Sequence, residues 1–368
     1  MLKYLDTSKP YSLYIHVPFC HKRCDYCAFY SIENAANNTV DNYYNYLIKE
    51  LKELISNLDK PFYTIFIGGG NPAILGVNRL IEIITIASTY GKAEEVTIEF
   101  NPEYVNENII PLFNYINRIS VGIQSFSQKA LDILGRNTNP EISKKALEFL
   151  SNYDINKNAD LITCIPTIDV EQSLEDITQL HSYGVNHISL YALTFEEGTL
   201  LTEREKAIGD EKQAEYLTKL WNHLDSLNFS QYEVSNFAHP GFECKHNLVY
   251  WHLGQYFAIG SSAEGSIGYN NILSYSNSHS IENITKQTSV LNKIELQEEL
   301  LLTNLRLPQG INKEEYKNRT TYDFDKKYTK AINKLDKSLY INNAKSFSLT
   351  KKGFLVLDFI VLQLAMML

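Results

Sequence analysis

The chain has 368 residues, 44% of them apolar and 21% charged, with 34 Lys and Arg against 43 Asp and Glu for a net charge of −9. Such fractions fit an ordinary soluble globular protein and exclude the disordered and fibrous classes. The acidic balance argues against a nucleic-acid binder working by bulk charge, which needs a basic surface.

In chain order, short apolar runs alternate with helical patterns. The runs YSLYIHV (11–17), FYTIFIG (62–68), EVTIEF (95–100), RISVGI (118–123), ADLITCI (159–165) and HISLYAL (187–193) predict parallel strands, apolar on both faces. Between them, Tyr43, Leu47, Leu51, Leu54, Ile55 and Leu58 form a stripe at helical spacing within 40–58. Segments 76–90, 103–115, 140–152 and 170–183 also suit helices, the last with Gly184 at its C-cap. Six β-α repeats imply an α/β fold with a parallel sheet, a full or partial barrel or a doubly wound sheet, with ligand sites at the carboxyl ends of the strands. The unusual residues gather at those ends: the cysteines after the first strand, Gly68-Gly69-Gly70 after the second, Glu99 to Pro102 at the third and Gln124 to Phe126 after the fourth. Past about residue 205 the pattern changes. A helix over 209–226 leads to short strands, the aromatic segment 244–251, and turns from Gly260 to Gly268. From about 290 come short helices and one hairpin, ending in FLVLDFIVLQLAMML, read as a buried helix.

Five cysteines are present, and Cys20, Cys24 and Cys27 crowd into eight positions. An odd, clustered set does not suit a disulfide framework, so the thiols are read as reduced and the chain as cytoplasmic. MLKYLDTSKP is too polar for a secretory signal, and no apolar run reaches the roughly 18–20 residues of a membrane span. Three thiolates from one loop suit a [4Fe–4S] cluster and leave one iron without a protein ligand. Zinc, with His16 or His21 as fourth ligand, and three inert buried cysteines are the competing readings. Against the latter stand His21, Lys22, Arg23 and Asp25, which do not suit a core.

Cys20-x3-Cys24-x2-Cys27 after a first strand resembles the motif of radical S-adenosylmethionine (SAM) enzymes. More narrowly, YIHVPFCHKRCDYCAFYS (14–31) is similar to the oxygen-independent coproporphyrinogen III oxidase family. The agreement continues through IGGGNP (67–72), EFNPE (99–103), NRISVGIQSF (117–126), LGR (134–136), DLI (160–162), YEVSNFA (232–238), CKHNLVYW (244–251) and LRLPQGI (305–311). Authentic oxidases carry a further cysteine two positions after the third, where this chain has Phe29, and a longer segment before the cluster than one reaching Cys20 so soon. With His246-Asn247-x-x-Tyr250-Trp251, both departures point to the heme chaperone, HemW-like branch.

The resemblance implies a partial (β/α)6 radical-SAM, TIM-like barrel with a smaller mixed α+β C-terminal domain. The division expected is a cluster- and SAM-bearing barrel over 1–205, a linking, barrel-closing segment with the H-N-x-x-Y-W motif over 206–285, and a small helical, winged-helix-like domain over 286–368. It implies that Cys20, Cys24 and Cys27 ligate the [4Fe–4S] cluster. It also implies that Tyr14, Tyr26, Gly69, Gly70, Asn71, Glu99, Gln124, Arg136 and Asp160 surround SAM, and that His246 is a candidate heme contact. Cys164 and Cys244 are bystanders, Cys164 a small core residue in a strand. Three departures stand out: Asn71 for the usual threonine, Thr167 where a glycine follows the proline, and Glu264 for a histidine. The implied function is a heme chaperone that binds cluster, SAM and heme and passes heme to acceptor proteins such as respiratory enzymes, without coproporphyrinogen oxidase activity. The competing implication is the oxidase itself, decarboxylating propionates to vinyls. Whether SAM is cleaved in function is left open. An electron donor for the cluster is implied, a homodimer is admitted, and no nucleic-acid partner is expected.

Overall fold

The computed structural model describes residues 2–368. The predicted runs become strands β1 (Tyr11–Val17), β2 (Thr64–Gly69), β3 (Glu95–Phe100), β4 (Arg118–Gln124), β5 (Asn156–Thr163) and β6 (His187–Ala192). Each lies parallel to the next. Helices α1 (Asn37–Ile55), α2 (Val77–Ala87), α3 (Gln128–Ile133), α4 (Pro140–Ser151) and α5 (Val170–Ser182) fill the connections. Tyr43, Leu47, Leu51 and Ile55 are buried along α1, as their spacing requires. Gly184 follows α5 with a φ of +71°, a left-handed turn that glycine adopts without strain.

The expectation of strands apolar on both faces is corrected. Alternate residues of β4 and β5 are apolar (Ile119, Val121, Ile123; Ala159, Leu161) and polar (Arg118, Ser120, Gln124; Asn158, Asp160), and nearly all are buried. The apolar set belongs to the main core. Apart from Gln124, the polar set faces an open cavity of about 90 Å³, lined in part by Arg118, Ser120, Asn158, Asp160, His187 and Ser189. Buried polar side chains need partners, and these find one another: Asn158 Nδ2 donates to Ser120 Oγ (2.7 Å) and Asp160 Oδ1 (2.8 Å), and His187 Nδ1 bonds Asn158 Oδ1 (2.6 Å).

Segment 103–115 is not an α-helix but two tight 3₁₀ stretches, Pro102–Tyr104 and Glu107–Asn114. Pro111 lies inside the second and cannot donate to an i−4 carbonyl, which breaks a regular ladder.

The sheet also extends further than the six repeats. Beyond β6 lie β7 (Ser230–Glu233) and β8 (Asn236–Ala238), antiparallel, with β8 next to β6. On the other side, β9 (Gln255–Ile259) runs parallel to β1, making seven parallel strands in a row. The antiparallel β10 (Glu264–Ile267), β11 (Leu273–Asn277) and β12 (Lys286–Val290) complete the sheet, so 260–268 is not turn alone. Gly265 sits on β10 because the Tyr275 ring of β11 lies where a Cβ would be, 2.3 Å away.

After β6 come α6 (Leu200–Arg204), α7 (Asp210–Ser226), the helix expected over 209–226, and α8 (Lys245–Trp251); the C-terminal part holds α9 (Lys293–Asn304), α10 (Lys313–Thr320), α11 (Phe324–Ile332), α12 (Lys351–Phe354) and α13 (Leu357–Ala365), around a small antiparallel sheet of β13 (Ile311–Asn312), β14 (Tyr340–Asn342) and β15 (Ser346–Leu349). The terminal helix is only half buried: Leu357, Ile360, Val361 and Leu364 face the core, while Phe359 and Leu362 are exposed. No helix of the described residues is long and apolar enough to cross a membrane.

Candidate functional site

The cysteine loop leaves β1 and is tied by its backbone to the glycine turn after β2. Gly70 N–H donates to Val17 O (2.8 Å) and Asn71 N–H to Phe19 O (2.7 Å). This close approach explains the glycines. A Cβ on Gly70 would lie 2.6 Å from Phe19 O and 2.9 Å from Cys20 Sγ, and one on Gly69, whose φ is +116°, would strike the His16 ring. Arg23 folds the loop on itself, donating from Nε and Nη2 to Cys27 O (3.0 and 2.8 Å).

A third segment holds the loop from the far side. Asp25 N–H donates to Leu134 O (3.0 Å), and the Asp25 carboxylate rests where a Cβ of Gly135 would stand, 2.2 Å away. Asp25 is buried and pairs with Arg204 Nη2 at 2.5 Å, so it does suit the interior once given a partner. Sequence reasoning missed Arg204; the only available signal was an aspartate between two cysteines that needed a cation. The same segment aims Arg136, which donates to Gly122 O (2.5 Å), Asn101 Oδ1 (3.4 Å) and Cys24 Sγ (3.6 Å). Cys20, Cys24 and Cys27 are half-buried and unpaired. Burial, with the neighbouring Cys27 and Cys24 sulfurs, pushes the Cys20 thiol up to about 12.

Among the described residues no three His, Cys, Asp or Glu side chains converge on a single ion. A four-iron cube is held by thiolates spread around its corners, so three thiols on one loop beside a cationic guanidinium fit it. An open cavity of about 260 Å³ adjoins Cys24 and Arg136 and is lined by His21, Lys22, Asn101 and Glu103 among others.

Of the remaining candidates, Glu99 and Gln124 lie at the carboxyl ends of β3 and β4, while Tyr14 and Asp160 lie in the middle of β1 and β5. Glu99 Oε2 accepts from Gly69 N–H (3.0 Å). Burial first, then the nearby Asp160, raises its carboxyl to about 8, so it is largely protonated at neutral pH. Asp160 is raised as well by burial, against opposing hydrogen bonds from Asn158, Ser189 and Ser120. Gln124 ends β4 with a φ of +67° beside a register shift, backbone strain of the kind that collects at functional sites. Tyr26 is pushed up chiefly by burial. Tyr14 OH bonds His16 Nδ1 (2.9 Å), and Asn71 caps the turn Pro72–Leu75 while its buried Nδ2 has no partner.

The expected strand position of Cys164 is corrected: it lies just past β5, buried, with a φ of +62°. Thr167, three residues on, has a φ of +61°, a conformation a β-branched residue adopts only under strain. Thr167→Gly is expected to raise the unfolding free energy by about 1 kcal/mol, measured by urea denaturation; an unchanged midpoint would count against the strain.

His246 sits elsewhere. It lies on α8 (Lys245–Trp251), wholly buried, with Nδ1 bonded to Thr64 Oγ1 (2.6 Å), Nε2 to Tyr250 OH (2.5 Å), and its ring stacked 5.1 Å from Phe66. Both nitrogens are therefore occupied, and as placed the imidazole offers none to a heme iron. Burial pushes it down to about 3, which keeps it neutral. The start of α8 is held by Glu95 of β3, whose carboxylate accepts from Lys245 N–H and His246 N–H (3.0 Å each). Cys244 Sγ lies against the same group (3.4 Å). Glu95→Ala leaves these buried donors unpaired and is expected to cost about 2–4 kcal/mol in urea denaturation; a loss below about 0.5 kcal/mol would show the cap to be unimportant.

Two family models match the chain: "Radical SAM superfamily" over residues 14–180 and "HemN C-terminal domain" over 291–356. Among similar proteins, one named heme chaperone HemW from Lactococcus lactis subsp. lactis (strain IL1403) is 30% identical over 365 residues, 94% of this chain and 95% of its own. Another of that name, from Escherichia coli (strain K12), is 33% identical over 268 residues, 71% of each chain. The solved structure of coproporphyrinogen III oxidase (HemN) from Escherichia coli, a radical SAM enzyme, superposes with a TM-score of 0.81 over 98% of this chain and 91% of that one. At 17% identity that likeness shows the fold alone. The cysteine loop, the glycine turn beside it and the match along nearly the whole length agree: this chain belongs to the radical SAM superfamily and, within the HemN-related family, to its HemW-like branch.

Proposed function

We propose that the protein is a heme chaperone that carries a [4Fe–4S] cluster and SAM, binds heme and delivers it to acceptor proteins, respiratory enzymes among the candidates. The observation that carries this reading over the oxidase is Phe29, 69% exposed where the oxidases have a further cysteine. Names borne by relatives matching 94% and 71% of the chain support it.

In this reading residues 1–205 carry cluster and SAM, 206–285 close the barrel, and 286–368 form the small C-terminal domain. Cys20, Cys24 and Cys27 hold the cluster. Gly69 and Gly70 bring bare backbone up to SAM, with Asn71 at the turn's end. Tyr14 and Tyr26 flank it, while Glu99, Gln124, Arg136 and Asp160 bond its polar groups. When bound, cluster and SAM supply one-electron chemistry that amino acids lack. The chain's own part is to shield and orient: Arg136 places a fixed cation beside Cys24, and neutral Glu99 offers a proton to an acceptor. A separate protein supplies electrons, and the chaperone works in the cell interior.

The test is an anaerobic assay of reconstituted protein with SAM, reductant and coproporphyrinogen III. No protoporphyrinogen IX is expected; turnover to that product would establish the oxidase instead.

A further inference from the structure

Asp25 stands between Cys24 and Cys27, and its backbone and its side chain are all held from outside the cysteine loop. Its N–H donates to Leu134 O (3.0 Å), its C=O accepts from Leu201 N–H (2.8 Å), and its carboxylate pairs with Arg204 Nη2 (2.5 Å). The first tie comes from the turn after α3, the other two from α6. Arg204 Nη2 also donates to Ile133 O (3.1 Å), so one guanidinium joins α6, that turn and the loop.

Apolar contacts repeat the pattern. Leu201 is fully buried in a small core of its own with Leu134 and Ile165, and Tyr26, the residue after Asp25, packs against it. Just ahead, Thr199 and Thr202 tie α6 to its own approach, both donating from Oγ1 to Glu196 O (2.8 and 2.7 Å). Residues 193–205 contain four glutamates and one cation, Arg204. Glu203 and Glu205 flank it in the chain, yet it turns to the buried Asp25.

A cube bound by three thiolates requires their sulfurs in a fixed arrangement, and the placement of the middle of the loop decides where Cys24 and Cys27 point. Contacts behind the ligands orient them, and losing one typically costs 10–100-fold in metal affinity. We propose that Arg204 is a positioning residue for the cluster: acting through Asp25, it fixes the middle of the cysteine loop, and by reciprocity the loaded loop holds α6. This rests on the cluster assignment above. The pair also balances its own charge. Breaking it from the Arg204 side leaves a carboxylate beside the cluster and lowers the cluster's potential; breaking it from the Asp25 side leaves a guanidinium and raises it. A role in folding alone would not split the two variants in sign.

The experiment compares the unaltered chain with Arg204→Gln, Arg204→Lys, Asp25→Asn and the Arg204→Gln, Asp25→Asn double variant. Without cofactors, hydrogen exchange at the Leu201 amide is expected to quicken at least about tenfold in Arg204→Gln. After anaerobic reconstitution, an iron chelator should strip the cluster at least about tenfold faster from Arg204→Gln and from Asp25→Asn. The double variant should be no worse than either single one, and Arg204→Lys should lie nearer the unaltered chain. The midpoint potential should fall in Arg204→Gln and rise in Asp25→Asn. Arg204 is half-exposed, and circular dichroism checks that each variant is folded. Unchanged stripping from folded Arg204→Gln, additive losses in the double variant, or potentials that move together or not at all overturn the proposal. One measurement needs no variant: the cluster should slow Leu201 exchange in the unaltered chain, and equal exchange with and without it overturns the linkage. An unaltered chain that takes up no iron refutes the cluster assignment itself, which separates that failure from this one.

Discussion

Replacing any one of Cys20, Cys24 and Cys27 with alanine is expected to take bound iron after anaerobic reconstitution from about four per chain to near zero. Three protein thiolates are the fewest that hold such a cube with one iron open, so the loss of one is not compensated. No other cysteine is placed to replace it: Cys164 is buried past β5 and Cys244 is buried against Glu95. Cys164→Ala and Cys244→Ala should therefore keep their iron. Iron analysis with visible absorbance reads all five variants. Full iron content in any of the first three, or equal loss in the last two, would sink the cluster assignment.

The second large effect concerns Glu99. Its carboxyl is raised to about 8 in the fold against 4.5 in an unfolded chain, chiefly by burial and next by Asp160. Between these values the unfolded state has lost the proton that the folded state keeps. Stability contributed by this group is therefore present below about pH 4.5 and lost as pH rises through about 8. The loss amounts to at most about 5 kcal/mol, from 1.36 kcal/mol per pKa unit. Glu99→Gln keeps the shape without the titration. Urea unfolding of the cofactor-free protein from pH 5 to 8 should show the unaltered chain weakening relative to the variant. Parallel curves would mean that Glu99 stays ionised.

Much of this architecture is legible from residues alone. The six strands fall within three residues of their predicted starts, because each is an unbroken buried run between turn signals. Burial was read as apolarity, however. The polar inner face of β4 and β5 is disguised in sequence by short side chains such as Ser120 and Asn158, whose partners come from distant strands. The strand β9 was missed because its place beside β1 depends on a contact some 240 residues apart in sequence, which no local pattern records. At the site, the cysteines, the glycine turn and Arg136 were visible as motifs. Arg204 and Glu95 were not, since an ion pair and a helix cap across the fold leave no spacing to read. The role of His246 was obscured for the same reason: its hydroxyl partner Thr64 lies on β2.

The central claim, that this radical SAM chain handles heme as cargo, is tested most directly by titrating heme into the anaerobically reconstituted protein and desalting the product. A Soret band is expected that saturates at one heme per chain, survives the column and diminishes when a heme-free acceptor is added. Heme lost entirely on the column, with cluster and SAM still bound, would contradict it.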